Sequence, residues 1–550
     1  MGERRTNTVG IDFGTSTTLI AERRGESTPR VLPIGESTSW MPSLLGVDGS
    51  GQLIAGEAAA RLGPRKTVTS IKSALTNGLD EVETPSGTID VREGVATLLR
   101  TAIQRAQAID GQLFDDAEVF LGCPALWTGH ERKLLVEVAH EVGLDVDIGQ
   151  VVDEPVAAGL HWVNSQWLLS GSRPTGKSII FDAGGGTLDV AYLDVAGFER
   201  PEMTVLSAEG RAESGDALDR SLFEFLSTSF PRDSDDELFR ILLRNAARNL
   251  KEVLSFEEQA SAPVGAPYDA VATMTRSELE HAFSAQLLRA TSLVRSAVRG
   301  GLLRTQQPLS PSEIRQQPWD HVASEIAHVA LVGGMSYVPA VAVAIRTLFP
   351  SAAVSLVDRP QESVVRGLVY GDSLDELNLP RPPVDFFVTY PELNGRIHDE
   401  WLEANGLIYE AFSPLYTTTQ LMLGHSNLGF VGKIPNPPNT KGEFEFVISC
   451  AIPDRNRTPL PMRFRRPGNP ESDLADGIKL RHDGRGEAIM KLYTNGNFVI
   501  RSKYNIVTGR IAKWPTLRGP HHDFAREIQL ETGASSSNQY HRPFDDWRAK

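Results

Sequence analysis

Cysteine is nearly absent: two of 550 residues, Cys123 and Cys450, lie in different regions of the chain. Neither has paired or metal-ligand spacing, so a disulfide framework is excluded and both thiols are expected in the core of a protein from a reducing compartment. Long hydrophobic runs are missing too. No apolar stretch approaches the 18 residues of a membrane span, and Met1-Gly-Glu-Arg-Arg passes into a polar stretch and the first strand without a hydrophobic signal region. The expectation is a cytoplasmic protein with no membrane partner. Positive charge is in deficit: 55 Lys and Arg against 70 Asp and Glu leave a net charge of −15. That balance speaks against a nucleic-acid-binding surface, and no nucleic-acid partner is expected. With 41% apolar and 23% charged residues, the chain is long enough for two to four globular domains, each with its own core.

Against these absences stand two related segments about 170 residues apart, Val9-Gly-Ile-Asp-Phe-Gly-Thr-Ser-Thr-Thr18 and Ile179-Ile-Phe-Asp-Ala-Gly-Gly-Gly-Thr-Leu-Asp-Val190. Each ends an apolar run on an aspartate, Asp12 or Asp182, and follows it with a Gly/Thr turn. The apolar runs read as strands. The turns read as tight hairpins whose backbone N–H groups can hold phosphate oxygens, with glycine allowing close approach. The duplication predicts two halves of one phosphate clamp, with Asp12 and Asp182 facing each other across a metal-bound nucleotide.

Between and after these segments the pattern is of an α/β protein. Helices are expected over Val91 to Ala108, with Val95, Leu98, Leu99 and Ile103 on one face, and over Glu131 to Val142. From Asp236 to Ser255, Leu238, Ile241, Leu242, Ala246, Leu250, Val253 and Leu254 form a helical apolar stripe. Strands are expected at Val119 to Gly122 and His328 to Val332. The stretch Gly171-Ser-Arg-Pro-Thr-Gly-Lys177-Ser178 matches a P-loop letter for letter. Its context is wrong, because Lys177-Ser178 lead into a strand and no helix N-terminus follows; it reads as a polar loop. His521-His522 lack ligand spacing, and Arg463-Phe-Arg-Arg466 reads as a solvated strand end.

The chain resembles the actin-like ATPases of duplicated ribonuclease-H-like fold, and within them the seventy-kilodalton heat-shock (DnaK-type) chaperones. The resemblance is carried by the two hairpins and, in order, by Met41-Pro-Ser43, Leu53-Ile-Ala-Gly-Glu57, Ser70-Ile-Lys-Ser73, Cys123-Pro-Ala125 with Arg132, Asp153-Glu-Pro-Val-Ala-Ala158, Lys251 to Ser255, and Leu331-Val-Gly-Gly334 with Pro339. It covers about residues 7 to 372. It implies a two-lobed α/β nucleotide-binding domain that hydrolyses ATP to ADP with Mg²⁺, and room for a K⁺.

By that resemblance, Asp12 and Asp182 support the metal through water, with Asp189 as a further metal-side carboxylate. Gly14, Thr15, Ser16, Gly184, Gly185, Gly186 and Thr187 bind phosphates, and Thr187 and Lys72 meet the transferred charge. Glu154 and Asp189 complete the ring around the attacking water. Gly215, Lys251 and Ser255 belong to the nucleotide set, the last two at the ribose, while Arg248 replaces the family's acidic residue there. Adenine is placed against Gly333-Gly334, and Tyr337 either stacks on it or packs on the following helix. Taken alone, Lys72 would be a solvated lysine; its register with Met41-Pro-Ser43 and Leu75 gives it the functional role. Pro124 and Arg132, the latter on an exposed helix face, match residues that relay nucleotide state.

Past Gly371 the resemblance fades. Leu374-Asp-Glu-Leu377-Asn-Leu379 and Pro380-Arg-Pro-Pro383 are expected to form a linker over 373–383 after a domain of residues 1–372. Residues 384–532 carry β signals, notably Phe444 to Ile448 and a hairpin of Ala488 to Tyr493 and Phe498 to Lys503 through Asn495-Gly496. A β-rich binding domain is expected there, with a flexible tail over 533–550. The expected function is a chaperone-like ATPase whose nucleotide state controls that domain. A client protein or peptide and a co-chaperone or exchange factor are the implied partners. The alternatives are an actin-like filament protein, a small-molecule kinase, and a regulatory ATPase with slow or no hydrolysis.

Overall fold

The computed structural model describes residues 7–84, 87–170, 174–196, 202–230, 236–305, 310–371, 380–393, 402, 405–423, 428–437, 443–453, 459–460, 462–465, 473–475, 477–482, 488–493, 496–501, 506–515 and 527–529. Most of the expected linker, the tail, His521-His522, Arg466 and Asn495 lie outside the described residues.

Two sheets repeat one topology. In the first, the strand order is Arg30–Val31, Thr17–Arg24, Asn7–Phe13, Glu118–Cys123, Val151–Asp153, with Met41–Pro42 also pairing Thr17–Arg24. In the second it is Glu202–Arg211, Leu188–Ala196, Gly176–Ala183, Ile326–Val332, Ala353–Leu356. Read in these orders, the neighbouring pairs are antiparallel, antiparallel, parallel and parallel in both. The α/β, actin-like, duplicated ribonuclease-H-like architecture is therefore present, with a hairpin at the heart of each lobe. Nearly every residue of Asn7–Phe13 and Gly176–Ala183 is buried, which is why these strands read as continuous apolar runs rather than alternating ones.

The lobes meet through two helices. Glu154–Ser170 and Ser363–Leu368 share a core with both sheets: Phe120 and Val152 of the first and Ile180, Leu193, Ala330 and Val332 of the second pack with Val156, Ala157, Trp162, Val364 and Leu368. The helices approach so closely that a Cβ on Gly367 would stand 1.7 Å from the Ala157 carbonyl oxygen. Only glycine fits there.

Local signals explain the other helices. Val91–Ile109 starts where the Asp90 carboxylate accepts the Glu93 N–H at 2.8 Å, and Val95, Leu98, Leu99, Ala102, Ile103 and Ala106 are buried along its length. Gly129–Glu141 opens on a capping box of Thr128 and Glu131. The helix Glu237–Leu254 corrects its expected stripe: Phe239, Leu243, Ala246, Ala247, Leu250 and Leu254 are buried, whereas Val253 is exposed. Apolar residues occupy two adjacent registers in this helix, and contact of Phe239 with Phe230 and Tyr268 selects one of them.

Among the described residues, the C-terminal region contains two sheets. One has the order Leu407–Tyr409, Asp385–Thr389, Phe444–Ala451, Pro459–Leu460, with Ile478–His482 also pairing Phe444–Ala451. The other runs Phe430–Ile434, Ala488–Leu492, Asn497–Arg501, Ile506–Pro515, Met462–Arg465, Asp473–Ala475, with Glu527–Gln529 beside Ile506–Pro515. The expected hairpin pairs Ala488–Leu492 with Asn497–Arg501, and Gly496 takes a φ of +79° in the turn. Apolar packing is contiguous from the second lobe into these sheets, through residues such as Leu415 and Leu421. Cys123 and Cys450 are both buried and unbridged. Among the described residues, no helix is long and apolar enough to cross a membrane.

The contact between Gly367 and Ala157 makes a stability prediction. Gly367→Ala is expected to push the two helices apart and destabilise the chain by about 1–3 kcal/mol, read as an earlier first transition in a thermal melt. An unchanged melt would show that the interlobe core accommodates the methyl group.

Candidate functional site

The two hairpins have the same backbone closure: the Gly14 N–H donates to Thr17 O at 3.0 Å, and the Gly184 N–H donates to Thr187 O at 3.0 Å. Their turns face each other across the cleft. A Cβ on Gly185 would stand 2.6 Å from Ser16 Oγ, and one on Gly186 would stand 2.5 Å from Thr15 Oγ1. A larger residue at either glycine would have to displace the facing hydroxyl. The cleft they close is a cavity of about 670 Å³.

Its walls bring together nearly every residue expected at the nucleotide. Asp12, Gly14, Thr15, Ser16, Lys72, Glu154, Asp182, Gly184, Gly185, Thr187, Gly215, Lys251, Ser255, Gly333, Gly334 and Tyr337 all line it. Two expected residues do not. Gly186 sits at the contact with Thr15, and Asp189 is buried behind the wall, where its Oδ1 accepts the Ala125 N–H at 2.8 Å. Asp189 follows Leu188 on the returning strand and shares a sheet face with its partner Asp182; its carboxylate reaches the neighbouring strand end because Gly210 beside it has no side chain, a Cβ there standing 2.3 Å from Asp189 Oδ1.

The floor is an acid cluster with one cation. Lys72, only 2% exposed, is hydrogen-bonded and ion-paired to Glu154, and its ammonium stands 5.8 Å from the ring centroid of Phe13 and 5.7 Å from that of Trp127. Burial works against its charge, yet Glu154 and Asp12 outweigh that and raise its pKa. Burial pushes Asp12 up to about 7, with Glu154 adding repulsion and Lys72 opposing. Burial, then repulsion from Glu154, Asp189 and Asp12, pushes Asp182 well above the usual range. Asp189 is pushed up to about 8 by burial and Glu154, against hydrogen bonds from Thr187 and Ala125.

Such a surplus of buried carboxyls is the donor chemistry that suits a divalent cation. Among the described residues, no three His, Cys, Asp or Glu are arranged to grip an ion directly. Of these carboxylates, Asp12, Glu154 and Asp182 line the cavity.

At the other end, Gly333 follows the strand Ile326–Val332 with a φ of +78°, and a Cβ on it would clash with Ala183 O at 2.3 Å and Asp182 Oδ1 at 2.6 Å. Glycine is required for both reasons. Lys251 pairs with Asp219 at 2.6 Å, and its ammonium stands 3.4 Å from Gly215 O. Arg248, the departure from the family pattern, is held by Asp219 at 2.9 Å and Asp216 at 3.1 Å. Asp216 in turn accepts from Ser70 Oγ at 2.9 Å, a bridge between the two lobes. Tyr337 lies against Phe256, and its hydroxyl is 3.4 Å from Gln361 Oε1. Sequence reasoning missed Asp216, Asp219, Phe256 and Gln361. The first two sit one helical turn apart directly after Gly215, and Phe256 directly follows Ser255, so adjacency was the available signal. Lys177 of the P-loop-like stretch is at the start of the strand Gly176–Ala183, paired with Glu325.

Arg132 corrects an expectation. It is not on an exposed face but 2% exposed, ion-paired to Asp153, with Nε donating to Trp127 O at 3.2 Å and the guanidinium 4.0 Å from the ring centroid of Phe412. The C-terminal region covers it.

A duplicated sheet pair with a nucleotide-sized cavity between paired Gly/Thr hairpins defines the class as a two-lobed, actin-like ATPase fold. Comparison with known proteins narrows it: the family described as "Hsp70 protein" matches residues 8–370, and the chain belongs to that family. It is 26% identical over 454 residues to proteins named "Chaperone protein DnaK" from Thermotoga petrophila and Thermotoga maritima, covering 76% of this chain and 69% of each relative. A third, of the same name from Thermosipho africanus, is 24% identical over 447 residues with the same coverage.

Buried ion pairs are costly to break from one side. Arg132→Met is expected to destabilise the chain by about 3–5 kcal/mol by stranding Asp153, and adding Asp153→Leu is expected to recover most of that loss. Denaturant titrations of both variants test this, and equal losses in both would show that the stack on Phe412 dominates.

Proposed function

We propose that the chain is a Mg²⁺-dependent ATPase of the chaperone type, in which a domain of residues 1–372 controls, through a linker at 373–383, a β-rich domain of residues 384–532 that binds a client protein or peptide. The observation that carries the reading is the cavity between the two Gly/Thr hairpins, with the Lys72–Glu154 pair on its floor. When bound, Mg²⁺ would neutralise phosphate charge; Asp12 and Asp182 would hold it through its waters.

The chain's own groups divide the work. Backbone and hydroxyl groups of Gly14, Thr15, Ser16, Gly184, Gly185 and Thr187 bind the phosphates. Glu154 orients the attacking water and accepts its proton, while Lys72 stabilises the charge gathering on the transferred phosphoryl group. Asp189, behind Thr187, is the carboxylate beside which a K⁺ would sit. Gly215, Lys251 and Ser255 face the ribose; Gly333, Gly334 and Tyr337 face the base. Closing the turns on a γ-phosphate makes contacts that ADP cannot, which is what a nucleotide switch requires.

A continuous polar path supports the link to the C-terminal region. Asp189 accepts from Ala125 N, and the next residue's carbonyl, Leu126 O, accepts from Arg381 Nη1 at 3.0 Å. The same Arg381 nitrogen donates to Phe412 O at 3.0 Å. Around it, Gly129 N donates to Ala411 O at 2.7 Å, and Lys133 pairs at 3.0 Å with Asp385, which is fully buried. A shift of Asp189 on loss of the γ-phosphate would therefore pull on the strand end that Arg381 and Phe412 grip. A co-chaperone or exchange factor acting on the same cleft is consistent with this reading.

Lys72→Ala is expected to lower single-turnover hydrolysis by at least about 100-fold, with ATP affinity changed by less than about tenfold. Unchanged turnover would remove the role assigned to Lys72. For the link between domains, Arg381→Ala is expected to abolish the difference in limited proteolysis of the C-terminal region between ATP and ADP while leaving nucleotide binding intact. A persisting difference would sink the proposed path.

A further inference from the structure

Phe256 is out of place for an apolar ring. It lies just beyond the helix Glu237–Leu254, is 66% exposed, and yet forms part of the cavity wall. Its partner is Tyr337, at the end of the single turn Gly334–Tyr337 that follows the strand Ile326–Val332; the ring centroids are 5.4 Å apart and the planes tilted by 51°. Two aromatic faces from separate segments thus meet at the same cavity, alongside Met335 and Val338. Exposed aromatic rings that converge on a cleft provide stacking faces, and stacking accepts any base because every base has a π-face.

The hydroxyl protons next to the rings are already donated inside the protein. Ser255 Oγ donates to Lys251 O at 3.0 Å, Ser336 Oγ to Val332 O at 2.5 Å, and Tyr337 itself to Gln361. Arg248, the nearby long cation, is held by Asp216 and Asp219. A site whose polar groups pair with a substrate's OH or NH rejects an analogue that lacks it far more strongly than a pocket that holds by apolar contact.

We propose that Phe256 and Tyr337 form an aromatic slot that holds a purine by stacking, so that the cavity takes guanosine triphosphate as well as adenosine triphosphate with comparable affinity. This rests on the reading of the cavity as a nucleotide site. Phe256, free to rotate on its exposed side, swings away from Tyr337 to admit the base. A pyrimidine offers a smaller face and binds more weakly.

Calorimetric titration of the full chain with ATP, GTP, CTP and inorganic tripolyphosphate, all with Mg²⁺, tests the slot separately from the phosphate site. ATP and GTP dissociation constants are expected within about tenfold of each other. Phe256→Ala is expected to weaken both by a similar factor, about 5- to 150-fold, while leaving tripolyphosphate binding unchanged, and Phe256→Trp is expected to restore both. Tyr337→Ala should act in the same direction. GTP binding more than 100-fold weaker than ATP overturns the proposal, as does a Phe256→Ala variant with unaltered nucleotide affinity, even though tripolyphosphate and ATP still bind. Failure of tripolyphosphate and every nucleotide to bind removes the phosphate clamp itself, and the slot with it.

Discussion

Three aspartates and a glutamate are buried around a single lysine where the two lobes meet, and that imbalance of charge is the constraint on which the rest of the molecule turns. Burial alone disfavours ionised carboxyls, and mutual repulsion among Asp12, Glu154, Asp182 and Asp189 adds to it. The Lys72–Glu154 pair satisfies part of the demand. What is left is a concave, acid-floored space, and under the proposed function a cation and polyanion held there would stabilise the chain in proportion to how tightly they bind.

The duplicated fold is what brings this about. Each sheet ends its central hairpin in a Gly/Thr turn, and the two helices Glu154–Ser170 and Ser363–Leu368 lock the sheets into a shared core. The close approach of Gly367 to Ala157 sets the depth of that junction. Because Glu154 begins one of these helices and Asp153 ends the neighbouring strand, the acid floor and the interlobe core are parts of one element boundary. Asp153 and Glu154 point to different partners: Arg132 under the C-terminal region, and Lys72 in the cavity. Adjacent residues thus belong to the cavity floor and to the surface under the C-terminal region.

The C-terminal region reaches the ATPase fold through side chains that are costly to undock. Arg132 is buried, Arg381 is half-buried, and Asp385 is wholly enclosed beside Lys133. Buried charges tolerate few geometries, since separation of any pair leaves an unsatisfied group. An interface built this way favours discrete states over gradual sliding.

Local patterns in the sequence carried much of this. The apolar runs ending in Asp12 and Asp182, the capped helix after Asp90 and the hairpin at Gly496 are short-range features, dictated by backbone sterics and by which neighbours must be buried. Residues that cluster in the cavity could be nominated because they stand next to those turns or match the family's motifs. Other facts depended on partners far away in the chain. The register of the helix Glu237–Leu254 was decided by Phe230 and Tyr268, the burial of Arg132 by Phe412, and the placing of the Asp189 carboxylate by Ala125. The facing of Phe256 and Tyr337, some 80 residues apart, belongs with them. Sequence by itself determined the strands, turns and kinds of chemistry, because these follow from each residue's own conformational preferences and polarity. Only the tertiary structure decided which side chains are buried, paired or aimed at the cavity, because those outcomes depend on contacts that exist only after distant segments have packed.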